Sequence, residues 1–294
     1  MITLEFKNRI LEALKERRTT FGGSDTKLAT SLGISAAQFS RIMKGETEKV
    51  LSDANWVTIA RKLDVNLSNA PDWKAVNTPV FQFITAQLET CQKESLSALL
   101  CDLSDIGKTF TAQHYVKTHK NAIYVDCSQV KSKQKLIRYI AKEFGVGSTG
   151  KYSDVYEDLV FYLKTLPNPL IILDEAGDLQ YDAFLEIKAL WNATEMTCGY
   201  YMMGADGLKE KIRRSIDCKK VGYTEVFSRF GKRFGQVIPA GKEDSRNFMN
   251  QTAAMIIKAN APDNVDVPKL LKSTLGEDGM PSLRRIYKEI RKIA

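Results

Sequence analysis

The chain has 294 residues, 44% hydrophobic and 27% charged, with 43 Lys and Arg against 35 Asp and Glu and a formal net charge of +8. That size and mix describe a folded chain of about two domains, the basic excess favours a polyanionic partner such as nucleic acid, and the lack of any apolar run near ~18 residues excludes a membrane-spanning helix. Two histidines, His114 and His119, and five well-separated cysteines without a C-x-x-C pair argue against a zinc centre and for free thiols in a reducing cytoplasm.

In chain order, residues 1–7 carry mixed charge and lack the apolar core of a signal peptide. Residues 1–70 read as short helices. Within them Leu28, Leu32, Ile34, Phe39 and Ile42 supply apolar anchors, with small Ala29 at a crossing and Gly33 at a turn. This spacing predicts a helix-turn-helix, whose second helix would present Gln38, Arg41 and Lys44 to a DNA groove and its phosphates. A helical interaction module without a DNA role is the alternative. Residues 66–73 are rich in turn formers and read as a linker.

From about residue 77 strand and helix alternate. A helix over 81–92 precedes an apolar strand at 96–101, which runs into a loop ending Gly107-Lys108-Thr109 at the start of another helix. A strand follows at 122–127, then helices over 133–144 and 154–166. The next strand begins Leu170-Ile-Ile-Leu and ends in two adjacent acids, Asp174 and Glu175. A helix over 183–191 and strands at 199–204 and 235–239 complete the alternation. The expectation is an α/β domain over 77–240, a parallel sheet with helices on both faces. Residues 241–294 return to helices alone.

The two strand ends form two halves of a nucleoside triphosphate site, with ATP and Mg²⁺ as the expected cofactors. Backbone N–H groups at a helix N-terminus favour anions, so the loop through Gly107 can wrap a triphosphate tail. Lys108 would reach the β- and γ-phosphates, and the Thr109 hydroxyl would ligate Mg²⁺. Asp174 would hold the same metal, and Glu175 would orient or deprotonate the attacking water. The loop departs from the P-loop pattern, which has glycine six residues before the lysine; this chain has Asp102 there and Asp105 at another position often taken by glycine. Two carboxylates repel a triphosphate unless they point away, and a non-glycine residue limits the approach of the backbone. An inactive pocket kept for its fold is the alternative.

The order of these features, followed by Tyr201-Met-Met-Gly204, Phe227-Ser-Arg-Phe-Gly-Lys-Arg233 and Pro281-Ser-Leu-Arg-Arg-Ile286, resembles AAA+ transposition regulators of the Mu B type, with TnsC-type and IstB-type helpers as cousins. The resemblance covers nearly the whole chain. It implies an AAA+ ATPase domain, a helical lid over 241–294, and a homo-oligomer (filament or ring) that binds double-stranded DNA largely regardless of sequence and stimulates a cognate transposase. It implies Walker A roles for Lys108 and Thr109, Walker B roles for Asp174 and Glu175, an arginine finger at Arg229 with Arg233 as second choice, and a sensor arginine at Arg284. The sensor asparagine of the pattern is Ala205 here, with Asp206 beside it, which together with Asp102 and Asp105 implies slow hydrolysis; the resemblance implies that DNA stimulates it. Lys131, Lys133 and Lys135 fall where related assemblies line their DNA path, and lysines at a helix start suit an outside phosphate better than the helix dipole; a solvated face is the alternative.

Two rival functions use the same residues. One is a sequence-specific helix-turn-helix repressor with a degenerate ATPase domain; the other is a replicative helicase loader. A repressor discriminates ~10³-fold or more between operator and random DNA, and a target selector does not.

Overall fold

The computed structural model describes residues 2–63, 65 and 73–293. Four helices open the chain: α1 (Leu4–Thr20), α2 (Asp25–Leu32), α3 (Ala36–Met43) and α4 (Asp53–Lys62). Each begins behind a hydroxyl, Thr3, Ser24, Ser35 or Ser52, whose side chain accepts a backbone N–H of the first turn. Ser35 and Gln38 complete a reciprocal capping box on α3. Gly33 sits in the left-handed region with φ 80°, so α3 leaves α2 through a tight corner. Leu14, Leu28, Phe39, Ile42, Trp56 and Ile59 make a separate buried core for these helices. The linker expected at 66–73 lies, apart from Trp73, outside the described residues.

Beyond it, α5 (Pro79–Lys93) starts at Pro79 behind the Thr78 cap and leads to β1 (Ser97–Cys101). Then come α6 (Lys108–Thr118), β2 (Ala122–Asp126), α7 (Lys133–Glu143), α8 (Tyr152–Thr165) and β3 (Leu170–Asp174). After a 3₁₀ turn at Ala176–Asp178 follow α9 (Tyr181–Ala193), β4 (Gly199–Gly204), α10 (Asp206–Asp217) and α11 (Tyr223–Arg229). The strands form one parallel sheet in the order β1-β4-β3-β2. Its faces follow from the alternation of side chains along a strand. Leu99, Ile171, Leu173, Tyr200 and Met202 pack under α7 to α11. Leu100, Leu170, Ile172, Tyr201 and Met203 pack under α5 and α6. Both faces are covered, as a parallel sheet requires.

The strand expected at 235–239 is a correction. Only Gly235 pairs with the sheet, bridging Leu100 on the outer edge of β1. The N–H groups of Val237 and Ile238 turn away to the Asp102 carboxylate, and Pro239 has no N–H to give. The chain then closes with α12 (Lys242–Asn260), α13 (Val267–Ser273) and α14 (Leu283–Ile293), where Ala253, Ile257, Ile286 and Ile290 form a small core.

Candidate functional site

The loop between β1 and α6 lies beyond the carboxyl end of β1, where open parallel sheets bind ligands. Gly107 has φ 98° and precedes α6 with no side chain capping the helix, so the first-turn N–H groups face the loop. Lys108 is buried and folds back, its Nζ donating to the carbonyls of Asp102 at 3.0 Å and Leu103 at 2.5 Å. Burial lowers its pKa, against the opposing pull of Asp102, Asp174 and Glu175.

The two halves of the site meet. The Thr109 hydroxyl donates to Asp174 Oδ2 at 2.6 Å, and the Tyr124 hydroxyl donates to the same oxygen at 2.9 Å. The other Asp174 oxygen accepts the Glu175 N–H at 2.9 Å. Glu175 itself adopts φ 49° and is exposed. Partial burial first, and the Asp174 charge second, raise its pKa above the usual glutamate value. Tyr124 escaped the sequence reading. Its signal was the two-residue period of β2, which sets Tyr124 opposite Ile172 on the face that carries Asp174. Hydroxyl and carboxylate oxygens are the donors that Mg²⁺ takes, and the uncapped helix end with a nearby lysine suits phosphate. These residues therefore fit a magnesium nucleotide.

Both loop carboxylates are engaged by groups of the same chain. Asp102 is 1% exposed, and its oxygens accept the N–H groups of Leu103, Val237 and Ile238. Asp105, at φ 59°, accepts the Ser282 hydroxyl at 2.7 Å and the Arg284 N–H at 3.3 Å. The Arg284 Nε also stands 3.7 Å from it, on a side chain otherwise 81% exposed. Arg284 is thus brought to the loop.

Arg229 is not. Its Nε donates to Asn192 Oδ1 at 2.7 Å and its guanidinium lies over Trp191, 5.2 Å from the ring. Trp191 in turn donates to Ser97 at 2.8 Å, anchoring this group beside the start of β1 rather than its end. Arg233 is exposed. Ala205 precedes α10, whose first residue is Asp206.

The basic residues are less free than their spacing suggested. Lys131 pairs with Asp178 at 2.9 Å and Lys133 with Glu186 at 2.9 Å, so carboxylates of the same chain meet the lysines that were read as awaiting phosphate. Lys135 is exposed. Gln38 is half-buried, occupied by the capping box and by a bond to the Val50 carbonyl. Arg41 pairs with Glu46 at 2.7 Å, while Lys44 is exposed.

Residues 92–212, which hold the loop, both acids and all four strands, match the AAA domain family. A curated relative, the Mu-like prophage FluMu DNA transposition protein B of Haemophilus influenzae, is 24% identical over 230 residues, 76% of this chain and 78% of that protein. Among solved structures, Cdc6p from Pyrobaculum aerophilum is similar at 15% identity with a TM-score of 0.51, over 77% of this chain and 61% of that one. The Aeropyrum pernix ORC1 protein, solved in complex with DNA, gives 16% identity and a TM-score of 0.46 over 76% and 66%. The chain spans less than two thirds of either structure's length. A parallel sheet with a phosphate-type loop after its first strand, and a Thr109–Asp174 bond joining that loop to the third, agree with the family match: residues 92–212 form an AAA domain of P-loop α/β fold, and the chain is similar to a Mu-like transposition protein B.

Proposed function

We propose that the chain is an ATP-dependent DNA-binding regulator of DNA transposition, which assembles on target DNA and recruits or stimulates a transposase. The observation that carries the nucleotide part is the 2.6 Å bond from Thr109 to Asp174, which joins two motif halves 65 residues apart in sequence. The relation to a transposition protein B supports the rest.

In this reading the α6 N-terminus and Gly107 hold the phosphates, and Lys108 exchanges its two loop carbonyls for phosphate oxygens. Thr109 and Asp174 hold Mg²⁺. Magnesium ATP supplies the phosphoryl bond to be broken and a cation that offsets its charge. Tyr124 fixes the Asp174 carboxylate through its hydroxyl. Glu175 orients the attacking water and takes its proton, a task suited to a carboxylate whose pKa is raised. Arg229 belongs to a neighbouring subunit's site, consistent with its distance from the loop of its own chain. Arg284 acts on its own subunit's nucleotide. Helices α1–α4 serve as the helix-turn-helix domain and α12–α14 as the lid. Lys44 and Lys135, both exposed, are the stronger DNA candidates, with Gln38, Arg41, Lys131 and Lys133 able to join only by leaving their present partners.

Binding to several unrelated duplexes, with and without ATP, tests this. ATP should strengthen binding on all of them to a similar degree. Raising salt from ~50 to ~200 mM should weaken it by orders of magnitude, because phosphate contacts dominate. One strongly preferred sequence, or indifference to nucleotide, would favour the repressor instead.

A further inference from the structure

Asp105 does something a P-loop glycine cannot. Its carboxylate lies at the N-terminus of α14, accepting the Ser282 hydroxyl at 2.7 Å and the Arg284 backbone N–H at 3.3 Å, with the Arg284 Nε at 3.7 Å. Ser282 also accepts the Arg285 N–H at 3.2 Å, so aspartate and serine together cap the helix across 177 residues of sequence. Leu283, between them, stands 3.9 Å from where a side chain on Gly107 would begin. The start of α14 therefore lies directly on the loop that leads into α6.

Two positive helix ends and the cations Lys108 and Arg284 converge on this loop, and the carboxylate serving the α14 end belongs to the loop itself. An anion held at the α6 end would share Arg284 and the α14 end with Asp105, and the two like charges would repel. We propose that Asp105 is a positioning residue that stands in for phosphate: it holds α14 and Arg284 against the loop, and a bound nucleotide's phosphates take them over by displacing it. Asp105 thereby opposes nucleotide binding and links it to the placement of the C-terminal helices. The inference rests on the nucleotide reading above.

Asp105→Asn is the test, because asparagine tolerates φ 59° and keeps an acceptor while losing the charge. Two measurements are made on the full chain. Hydrogen exchange without nucleotide should show faster exchange at Arg284 and Arg285 in the variant. Titration with ATP should show tighter binding by the variant, about two- to fivefold at low salt, since an exposed ion pair is worth up to about 1 kcal/mol. The gain should shrink as salt is added and should be smaller in an Arg284→Gln background. A purely structural aspartate would give the exchange change with unchanged or weaker ATP binding, and that result overturns the proposal. Unchanged exchange overturns it as well. Failure of the wild type to bind ATP at all would instead sink the nucleotide reading on which the proposal rests.

Discussion

Asp102 and Ile238 are joined by a 2.9 Å bond from the Ile238 backbone N–H to a carboxylate that is 1% exposed. The same oxygen accepts the Val237 N–H, and its partner oxygen accepts the N–H of Leu103. A residue that reads as a flaw in a phosphate loop is therefore the acceptor that fastens the segment after Gly235 to the edge of β1.

Restoring the pattern at this position should harm the protein. Asp102→Gly removes charge-assisted bonds and leaves buried N–H groups without acceptors, at a cost on the order of 3 kcal/mol. Thermal melting should show a drop of several degrees, with ATP affinity no better than that of the wild type. A variant that melts like the wild type and binds ATP more tightly would show that Asp102 acts against the nucleotide.

Glu175 gives a prediction in pH. Partial burial and the Asp174 charge raise its pKa, so it keeps its proton to a higher pH than a free glutamate. As the base it must be ionised, so turnover should fall as pH drops through this raised value. The acidic limb of the kcat/KM profile, which reports the free enzyme, should accordingly lie above the usual glutamate pKa of about 4.3. Glu175→Gln should abolish turnover at every pH while retaining ATP binding. A limb at the ordinary value, or an active Glu175→Gln, would remove the residue from this role.

The sheet and its helices were readable because their signals are local. Apolar anchors recur at helical spacing through Leu28, Leu32, Phe39 and Ile42, and short apolar runs end at turns. What escaped depends on distant pairs. Nothing near Asp102 or Asp105 announces partners 136 and 177 residues away. Lys131 and Lys133 looked unpartnered because Asp178 and Glu186 approach only once the sheet has formed. The 235–239 run has strand-like composition, and a single buried carboxylate diverts its backbone.

The shared-site proposal makes its own prediction. Lys108→Ala and Arg229→Ala should each be inactive as ATPases, but an Arg229→Ala subunit keeps an intact pocket and can use the arginine of a Lys108→Ala neighbour. Mixing them on DNA should restore part of the activity, with a dependence on the ratio, because such fingers are worth ~10³-fold or more in rate. Full activity of Arg229→Ala alone would turn attention to Arg233. No recovery at any ratio, with co-assembly verified, would leave Arg229 as the partner of Trp191 and Asn192 that it is within its own chain.

Electron microscopy of the protein on duplex DNA of arbitrary sequence, with ATP and without, tests ATP-dependent assembly on DNA most directly. Wild-type chain with ATP should form contiguous multi-subunit assemblies along the duplex, and both omission of ATP and Lys108→Ala should leave the DNA essentially bare. Isolated particles at one sequence, or equal coverage with Lys108→Ala, would contradict the account.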